Sequence, residues 1–361
     1  AEGELIELIP MMIFIAINLI VIVAMIFCAL TAYLPPQHYP GVSYWGLAFP
    51  VFLAMNTLFI VFWLIFKWKV TVLPLAGMLL CASSIRTYCP FNIKIKAPEG
   101  SIKILSYNTM AFGVDNNLPL EENSIYRYVK DSKADIVCLQ EAMKSKTDQM
   151  AEVLKDIYPY NSLNLVTDNY MVCFSKYPIQ ECYNIEYPSE KNASYVYEIL
   201  IGEDTLMVVN NHLESYKLTP SDKADYKSII RNYRHPDRND SDEKYQLLTS
   251  KLAPKDSLRG IQADSIAAFV ERNEGRYIVL CGDLNASPIS YPHYRLTRAL
   301  NDAYTRSGNG PGVSYNRSGM YFRLDNILIS PNITSYETCV DNTIKSSDHY
   351  PIFSHIKLGS K

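Results

Sequence analysis

From Leu8 through Phe66 the chain carries no Asp, Glu, Lys or Arg, and its apolar residues leave no polar stripe of the amphipathic kind. One helix crossing the hydrocarbon core of a bilayer needs about 20 apolar residues, so this run predicts two spans. Pro35-Pro36-Gln37-His38-Tyr39-Pro40-Gly41 breaks it, because its prolines and glycine cannot continue a helix. The predicted spans lie near 9–33 and 43–66. After Lys67-Trp68-Lys69, residues 70–88 form a shorter, more polar stretch that reads either as a third span or as a re-entrant segment. Tyr44, Trp45, Trp63 and Trp68 fall near span ends, where amphipathic rings prefer to sit.

From Ser101 the pattern changes to short apolar runs separated by amphipathic ones. The runs at 102–107, 135–139, 171–174, 195–201, 205–211, 277–281, 324–329 and 352–356 predict strands. Gly202-Glu203-Asp204 between two of them is a hairpin signal. Helical periodicity marks 121–131, 147–157 and 257–272. Hairpin-joined strands mixed with strand–helix units predict a mixed sheet, or two stacked sheets flanked by helices. Residues 218–255 carry both signs of charge and few apolar positions, which predicts a solvated excursion. The resulting division is a helical segment over 1–90, a linker over 91–100 and a soluble domain over 101–358.

Composition sharpens this division. Over 361 residues the hydrophobic content is 48%, the charged content 20% and the net charge −3. Such averages exclude a disordered or collagen-like chain and a strongly basic nucleic-acid binder. They conceal two chemistries, since residues 1–90 hold only Glu2, Glu4, Glu7, Lys67, Lys69 and Arg86. Orientation is contested within the sequence. Lys67 and Lys69 favour a cytoplasmic loop and a soluble domain outside the cytoplasm, whereas Arg86, Lys94 and Lys96 favour the reverse. The expectation taken forward is an integral inner-membrane protein of bacterial type with the soluble domain outside. The eight cysteines show neither CxxC pairing nor zinc spacing, and Cys138, Cys173 and Cys281 read as core residues of strands.

Candidate chemistry sits where strands stop. Ser106-Tyr107-Asn108, Leu139-Gln140-Glu141, Asn210-Asn211-His212-Leu213, Gly282-Asp283-Leu284-Asn285 and Ser347-Asp348-His349-Tyr350-Pro351 each put a carboxylate, carboxamide or imidazole beside an apolar run. A rigid sheet positions such groups well. Singly each has an ordinary structural explanation, such as a turn, a helix start or a satisfied histidine. In this order, and with Arg323-Leu324-Asp325, Ser175-Lys176-Tyr177-Pro178-Ile179 and Arg259-x-x-Gln262-Ala263, the set resembles the endonuclease/exonuclease/phosphatase superfamily with its DNase-I-like fold. The resemblance covers about 101–357 and leaves the apolar helices outside it.

The resemblance implies an α/β fold, a four-layer α/β/β/α sandwich here preceded by two or three apolar helices, and Mg²⁺- or Mn²⁺-assisted phosphoester hydrolysis. It implies Glu141, Asn108 and Asp348 as hard oxygen ligands. Asp283 would deprotonate the attacking water, with Asn285 holding water or phosphate in line. His349, kept protonated by Asp325, would donate to the phosphate. His212, with Asn210, would bind it from the other side, and His212 would help protonate the leaving group.

Three readings of the substrate follow. The first is a lipid head group or other membrane-associated phosphoester, as in the similar sphingomyelinase and inositol-phosphatase branches. The bilayer would be a partner through the N-terminal helices, and no protein partner can be inferred. The second is a nuclease, which the balance of 31 basic and 34 acidic residues over 91–361 disfavours. The third is a non-catalytic tethered binding module, disfavoured because no polar motif is missing. Ala286-Ser287-Pro288 after the Gly-Asp-Leu-Asn motif argues against an inositol substrate. The bulky Asp168-Asn169-Tyr170-Met171 entry to one strand predicts a narrowed cleft.

Overall fold

Apolar residues at every second position bury one face of a strand in one core and the other face in a second. The part of the chain after Ser101 uses both faces. Its computed structural model describes residues 2–189, 191–216, 238–317 and 320–359. In strand β1 (Ile102–Asn108), Ile102 and Ile104 join one buried cluster while Leu105 and Tyr107 join another. In β7 (Asp204–His212), Leu206 and Val208 alternate with Met207 and Val209. In β8 (Tyr277–Asp283), Val279 and Cys281 alternate with Ile278 and Leu280.

The shared cluster lies between two six-stranded sheets. The first runs β13 (Ile333–Val340), β14 (Ile352–Leu358), β1, β2 (Ile136–Met143), β4 (Asn169–Ser175) and β3 (Tyr160–Val166). The second runs β5 (Ile179–Asn184), β6 (Ala193–Ile201), β7, β8, β12 (Asp325–Ile329) and β9 (Asn301–Asp302). Only β1–β2 and β7–β8 pair in parallel; every other neighbouring pair is antiparallel. Helices α5 (Ser124–Asp131) and α6 (Lys144–Val153) cover the first sheet, and α7 (Arg238–Arg272) with α8 (Tyr291–Thr297) covers the second. The architecture is the expected four-layer α/β/β/α sandwich. Cys138, Cys173 and Cys281 are buried together in the central core as free thiols.

Two expectations need correction. Residues 218–237 of the predicted excursion lie outside the described residues. From Arg238 onward the charged stretch is helix and leads directly into the predicted 257–272 segment. Its mixed charges hid the helical period. Trp63 is not an interfacial ring: it is 1% exposed, and its indole N–H donates to Asn18 Oδ1 at 3.0 Å.

That bond belongs to a polar clamp among apolar helices. Helix α1 spans Glu2–Leu30 and α2 spans Phe49–Phe66, and the bent pair α3 (Val72–Leu80) and α4 (Ala82–Tyr88) follows. Asn18 donates to Asn56 at 3.3 Å and Asn56 to the Pro74 carbonyl at 3.0 Å, tying three helices together. Interhelical amide bonds of this kind hold apolar helices where a hydrophobic driving force is weak. The stretches Ile9–Tyr33 and Trp45–Phe66 are each long and apolar enough to cross a membrane.

The segment joining α1 to α2 docks on the sandwich. Ser43 Oγ donates to Asp256 Oδ2 at 2.6 Å, Gln37 Nε2 to Asp264 Oδ2 at 3.0 Å, and Ser257 Oγ to the Pro36 carbonyl at 3.1 Å. Tyr33 and Tyr294 meet edge to face, and Ile289 of the sandwich joins the core of the helices. At the other end, Arg323 Nη2 donates to the Thr87 carbonyl at 2.5 Å. The linker then runs along the sandwich through Asn92, which donates to the carbonyls of Thr305 and Gly308.

Gly46 marks the closest approach, because a Cβ there would lie 2.0 Å from the Ile289 carbonyl oxygen. Backbone cannot yield as a side-chain tip can, so Gly46→Ala is expected to cost about 1–3 kcal/mol. It should also lower the melting temperature of the detergent-solubilised chain by several degrees. An unchanged melting temperature would show that the helices do not depend on this contact.

Candidate active site

The same two-residue period that builds the central core aims the polar groups. Asn108 continues the inward set of β1, His212 that of β7 and Asp283 that of β8, while Asp325 begins that of β12. Register then lines them up: His212 pairs with Asp283 across β7 and β8, and Asp283 with Asp325 across β8 and β12. Three chemistry-bearing residues thus stand in one row at the mouth between the sheets.

Glu141 has the wrong parity for this row, since Leu139 faces the outer helices. The register between β2 and β4 shifts between Leu139 and Ala142, and Glu141 adopts φ +50°. A bulge of this kind re-aims a side chain at the cost of strain. It carries Glu141 Oε1 to 3.2 Å from His212 Nε2 and 3.5 Å from Asn108 Nδ2. Asn285 is similarly left-handed, at φ +48°, and its backbone N–H donates to Asp283 Oδ1 at 2.8 Å. Gly282, at φ +126°, lets β8 pass so close to β7 that a Cβ would meet the Asn211 carbonyl at 2.1 Å.

His349 reaches the row from the loop before β14, and its Nδ1 stands 2.7 Å from Asp325 Oδ2. Its Nε2 is 3.6 Å from Asp283 Oδ2. The loop is clamped from outside by the hairpin β10 (Tyr315–Arg317) and β11 (Met320–Phe322). Tyr350 N–H donates to the Ser314 carbonyl, Asn316 N–H to the Asp348 carbonyl, and the Tyr315 ring lies against His349. Asp348 points elsewhere, to Arg317 at 3.2 Å.

Burial and charge work against one another here. Burial disfavours a charged His349, but the Asp325 and Asp283 carboxylates outweigh it and push its pKa up to about 10. Burial, reinforced by Asp325, raises the Asp283 carboxyl, and the His349 and His212 imidazoles only partly offset this. Burial also opposes ionisation of Glu141, yet hydrogen bonding and charge from His212 bring it down to about 2. His212 is itself raised, because Glu141 outweighs the burial that would lower it. Asn192 Nδ2 stands 3.2 Å from His212 Nδ1, while His212 Nε2 faces Glu141.

Asp283, Asp325 and His349 offer ligand atoms within 4.8 Å of one another. A cation there would have to displace the proton that both carboxylates hold on His349, so the trio is better suited to holding and moving a proton. Glu141 fits a hard divalent ion better: hydrogen bonding and charge from His212 favour its ionised form, and its side chain is 35% exposed. Asn108 presents its NH₂ to Glu141 and Asp283 while its oxygen accepts from Met110 N–H, so it could ligate only after turning its amide.

Asn108, Glu141, Asp283, Asn285, Asp348 and His349 line one cavity of about 290 Å³. Glu141 and His212 also border a second, of about 270 Å³. Asp325 lies behind His349, fully buried. Asn210, expected to bind phosphate, is the exception and that expectation is corrected. Its NH₂ donates to the carbonyls of Leu139 and Val172, and its oxygen accepts from Gln140 at 2.7 Å. It is a fully buried tie between the sheets. Sequence reading missed Asn192, Tyr315 and Arg317, and it missed the contribution of Pro36, Ser43 and Leu47 to the cavity wall. None of these carries a local signal, because each reaches the site through tertiary packing of a connecting segment or short hairpin.

Residues 105–349 match the Endonuclease/Exonuclease/phosphatase family, and residues 11–88 match a domain of unknown function. No curated protein matches the chain. Among solved structures, truncated Caenorhabditis elegans TDP2 shares 18% identity over 71% of this chain and 97% of its own, with TM-score 0.50. The human Nocturnin catalytic domain with bound sulfate shares 14% over 72% and 93%, with TM-score 0.51. A family member from Leptotrichia buccalis shares 14% over 71% and 100%, with TM-score 0.50. At these identities the likeness concerns fold alone.

Raised above its unfolded value of about 6.5, His349 contributes stability that is complete below that pH and lost as pH rises through about 10. In chelator, the urea midpoint is therefore expected to fall between pH 7 and 10, and to fall less in Asp325→Asn. Equal pH slopes in the two proteins would contradict the coupling.

Proposed function

We propose a membrane-held phosphoester substrate for this chain, which belongs to the endonuclease/exonuclease/phosphatase family. In this reading the protein is a divalent-metal-dependent hydrolase that acts on a lipid head group or another membrane-associated phosphoester. The observation that carries it is one cavity bounded both by the His349–Asp283 pair and Glu141 and by the segment between two helices of membrane-spanning length.

The residues divide the work as follows. Asp283 accepts the proton of the attacking water, a task its raised pKa favours, and the Asn285 N–H fixes its orientation. His349, held protonated by Asp325, donates from Nε2 to a phosphoryl oxygen as negative charge develops. His212, beside Asp283 with its Nε2 3.9 Å from Asp283 Oδ2 and 3.2 Å from Glu141, serves the leaving oxygen. Glu141, joined by Asn108 once its amide turns, would hold Mg²⁺ or Mn²⁺, which would polarise the phosphoryl group and steady the leaving oxygen, while Asp348 stays paired with Arg317.

The contacts at both ends of α2–α4 support a membrane topology. Residues 33–46 and 87–92 meet the same sandwich. A chain that leaves through α2 must then return, so the bent α3–α4 pair, with its 67° break, acts as a third crossing. This puts Lys67 and Lys69 on the face opposite the sandwich. Lys67 and Lys69 on that face favour a catalytic domain outside the cytoplasm, with Arg86, Lys94 and Lys96 on the sandwich side pulling the other way.

Three outcomes test the reading. Asp283→Ala and His349→Ala should each lower kcat on a soluble phosphodiester by at least about 100-fold while keeping the fold. Glu141→Ala should shift the Mg²⁺ titration to much higher concentration, and an unmoved titration would remove Glu141 from the ligand set. Alkaline phosphatase fused after residue 100 should be active and after residue 68 inactive; the reverse pattern would place the domain in the cytoplasm. Nicking of plasmid DNA without cleavage of any lipid would favour a nuclease instead.

A further inference from the structure

Two cavities meet in the cleft, and they differ in chemistry. Both are bordered by Glu141 and Ser215. On one side the wall is apolar and comes from three separate parts of the chain: Pro36 and Leu47 between α1 and α2, Leu252 of α7, and Tyr291 and Pro292 at the start of α8. On the other side the wall is polar and presents Thr167, Asp168, Asn169, Lys191 and Asn192. The bulky strand entry Asp168-Asn169-Tyr170-Met171 lines this polar chamber.

A phosphomonoester would fill only one of these chambers. A phosphodiester bound at Glu141 and His212 fills both, with one ester arm in each, and the asymmetry of the walls demands one apolar arm and one polar arm. The apolar chamber also faces the bilayer-length helices. Tyr39 and Trp45, on the segment that forms its wall, are 49% and 40% exposed, as aromatic rings at a membrane–water boundary are.

We propose that the segment between the first two apolar helices is the acyl-chain wall of the catalytic cleft, and that the substrate is a lipid phosphodiester. Its tail runs along Pro36 and Leu47 while its polar head group occupies the chamber beside Asn192. This deepens the hydrolase reading and rests on it. In the reaction a water oxygen bonds to phosphorus and gives its proton to Asp283. One ester P–O bond breaks, and the departing oxygen takes a proton from His212, leaving one alcohol and one phosphate monoester. Ser43 and Gly46 act as positioning residues, because the bond to Asp256 and the contact with Ile289 hold the wall in place.

The test uses the full chain in detergent mixed micelles. Its probes are phosphatidylglycerol and phosphatidylcholine with six-carbon or sixteen-carbon acyl chains, and bis(p-nitrophenyl) phosphate serves as the soluble reference. The wild type is expected to show a higher kcat/KM for the longer chains. Leu47→Asp is expected to lower the long-to-short ratio about tenfold, the loss of a few methylene contacts. Leu47→Gln serves if the aspartate variant does not fold, as judged by thermal melting. A variant that folds and cleaves lipid with the wild-type ratio overturns the wall assignment and leaves the hydrolase reading standing. Wild-type protein that cleaves the soluble reference and phosphatidic acid but neither diester lipid overturns the lipid-diester substrate itself. Loss of the reference activity in Asp283→Ala, measured alongside, separates both outcomes from failure of the catalytic assignment.

Discussion

The two-residue period of the central strands governs this molecule. Each sheet buries both faces, so the parity of a residue decides whether it enters the core between the sheets or the layer beneath the helices. Asn108, His212, Asp283 and Asp325 extend the inward set to the strand ends, where the sheets part and solvent begins. The fold therefore delivers these four groups to one mouth from strand ends, and His349 joins them from the loop before β14. A one-residue slip in β8 would exchange Val279 and Cys281 for Ile278 and Leu280 and send Asp283 to the wrong face. The stability of the core and the position of the base are the same constraint.

Where parity fails, strain replaces it. Glu141 reaches the cleft only through a bulge and a left-handed backbone, and Asn285 is left-handed as well. Met110, Ala111 and Phe112 add three successive positive φ values just after Asn108. Left-handed backbone at a residue with a Cβ costs about 1–2 kcal/mol each, so this concentration persists only because the packed sheets hold it. The electrostatics follow the same logic. Asp325 and Asp283 keep a proton on a buried imidazole that burial alone would strip, and the hairpin over Asp348 and Tyr350 holds that imidazole against them.

The apolar helices are more than a tether. Their connecting segment is hydrogen-bonded to Asp256 and Asp264 and packed backbone to backbone at Gly46, so its position is coupled to that of the cleft. Asp256 also pairs with Arg259, which donates to the Glu214 carbonyl just beyond His212. Movement of the helices would thus be felt two residues from a group that faces the scissile bond in the proposed reaction.

Much of this was legible in the sequence. All eight strands read from apolar runs exist, as do the hairpin at Gly202, the break at Pro35–Gly41 and the strand-end positions of the polar motifs. The strands that escaped reading are informative. Apart from the short β10–β11 hairpin they are β3, β5, β9 and β13, the four edges of the two sheets. Edge strands such as Ile179–Asn184 lie largely exposed and do not need an apolar pattern. Asn210 misled for a related reason. Its inward parity is that of a site residue, but it lies two positions deeper, where the sheets are still packed and an amide must be spent on Leu139, Val172 and Gln140. The sequence alone determined the uncharged helices, the alternating strands and the identity of the reactive side chains, because periodicity and chemistry are local properties. Only the tertiary structure decided that Glu141 turns inward, that Asn210 is used up as a tie between the sheets and that Pro36 and Leu47 wall the cleft, because register, bulges and docking depend on residues distant in the chain.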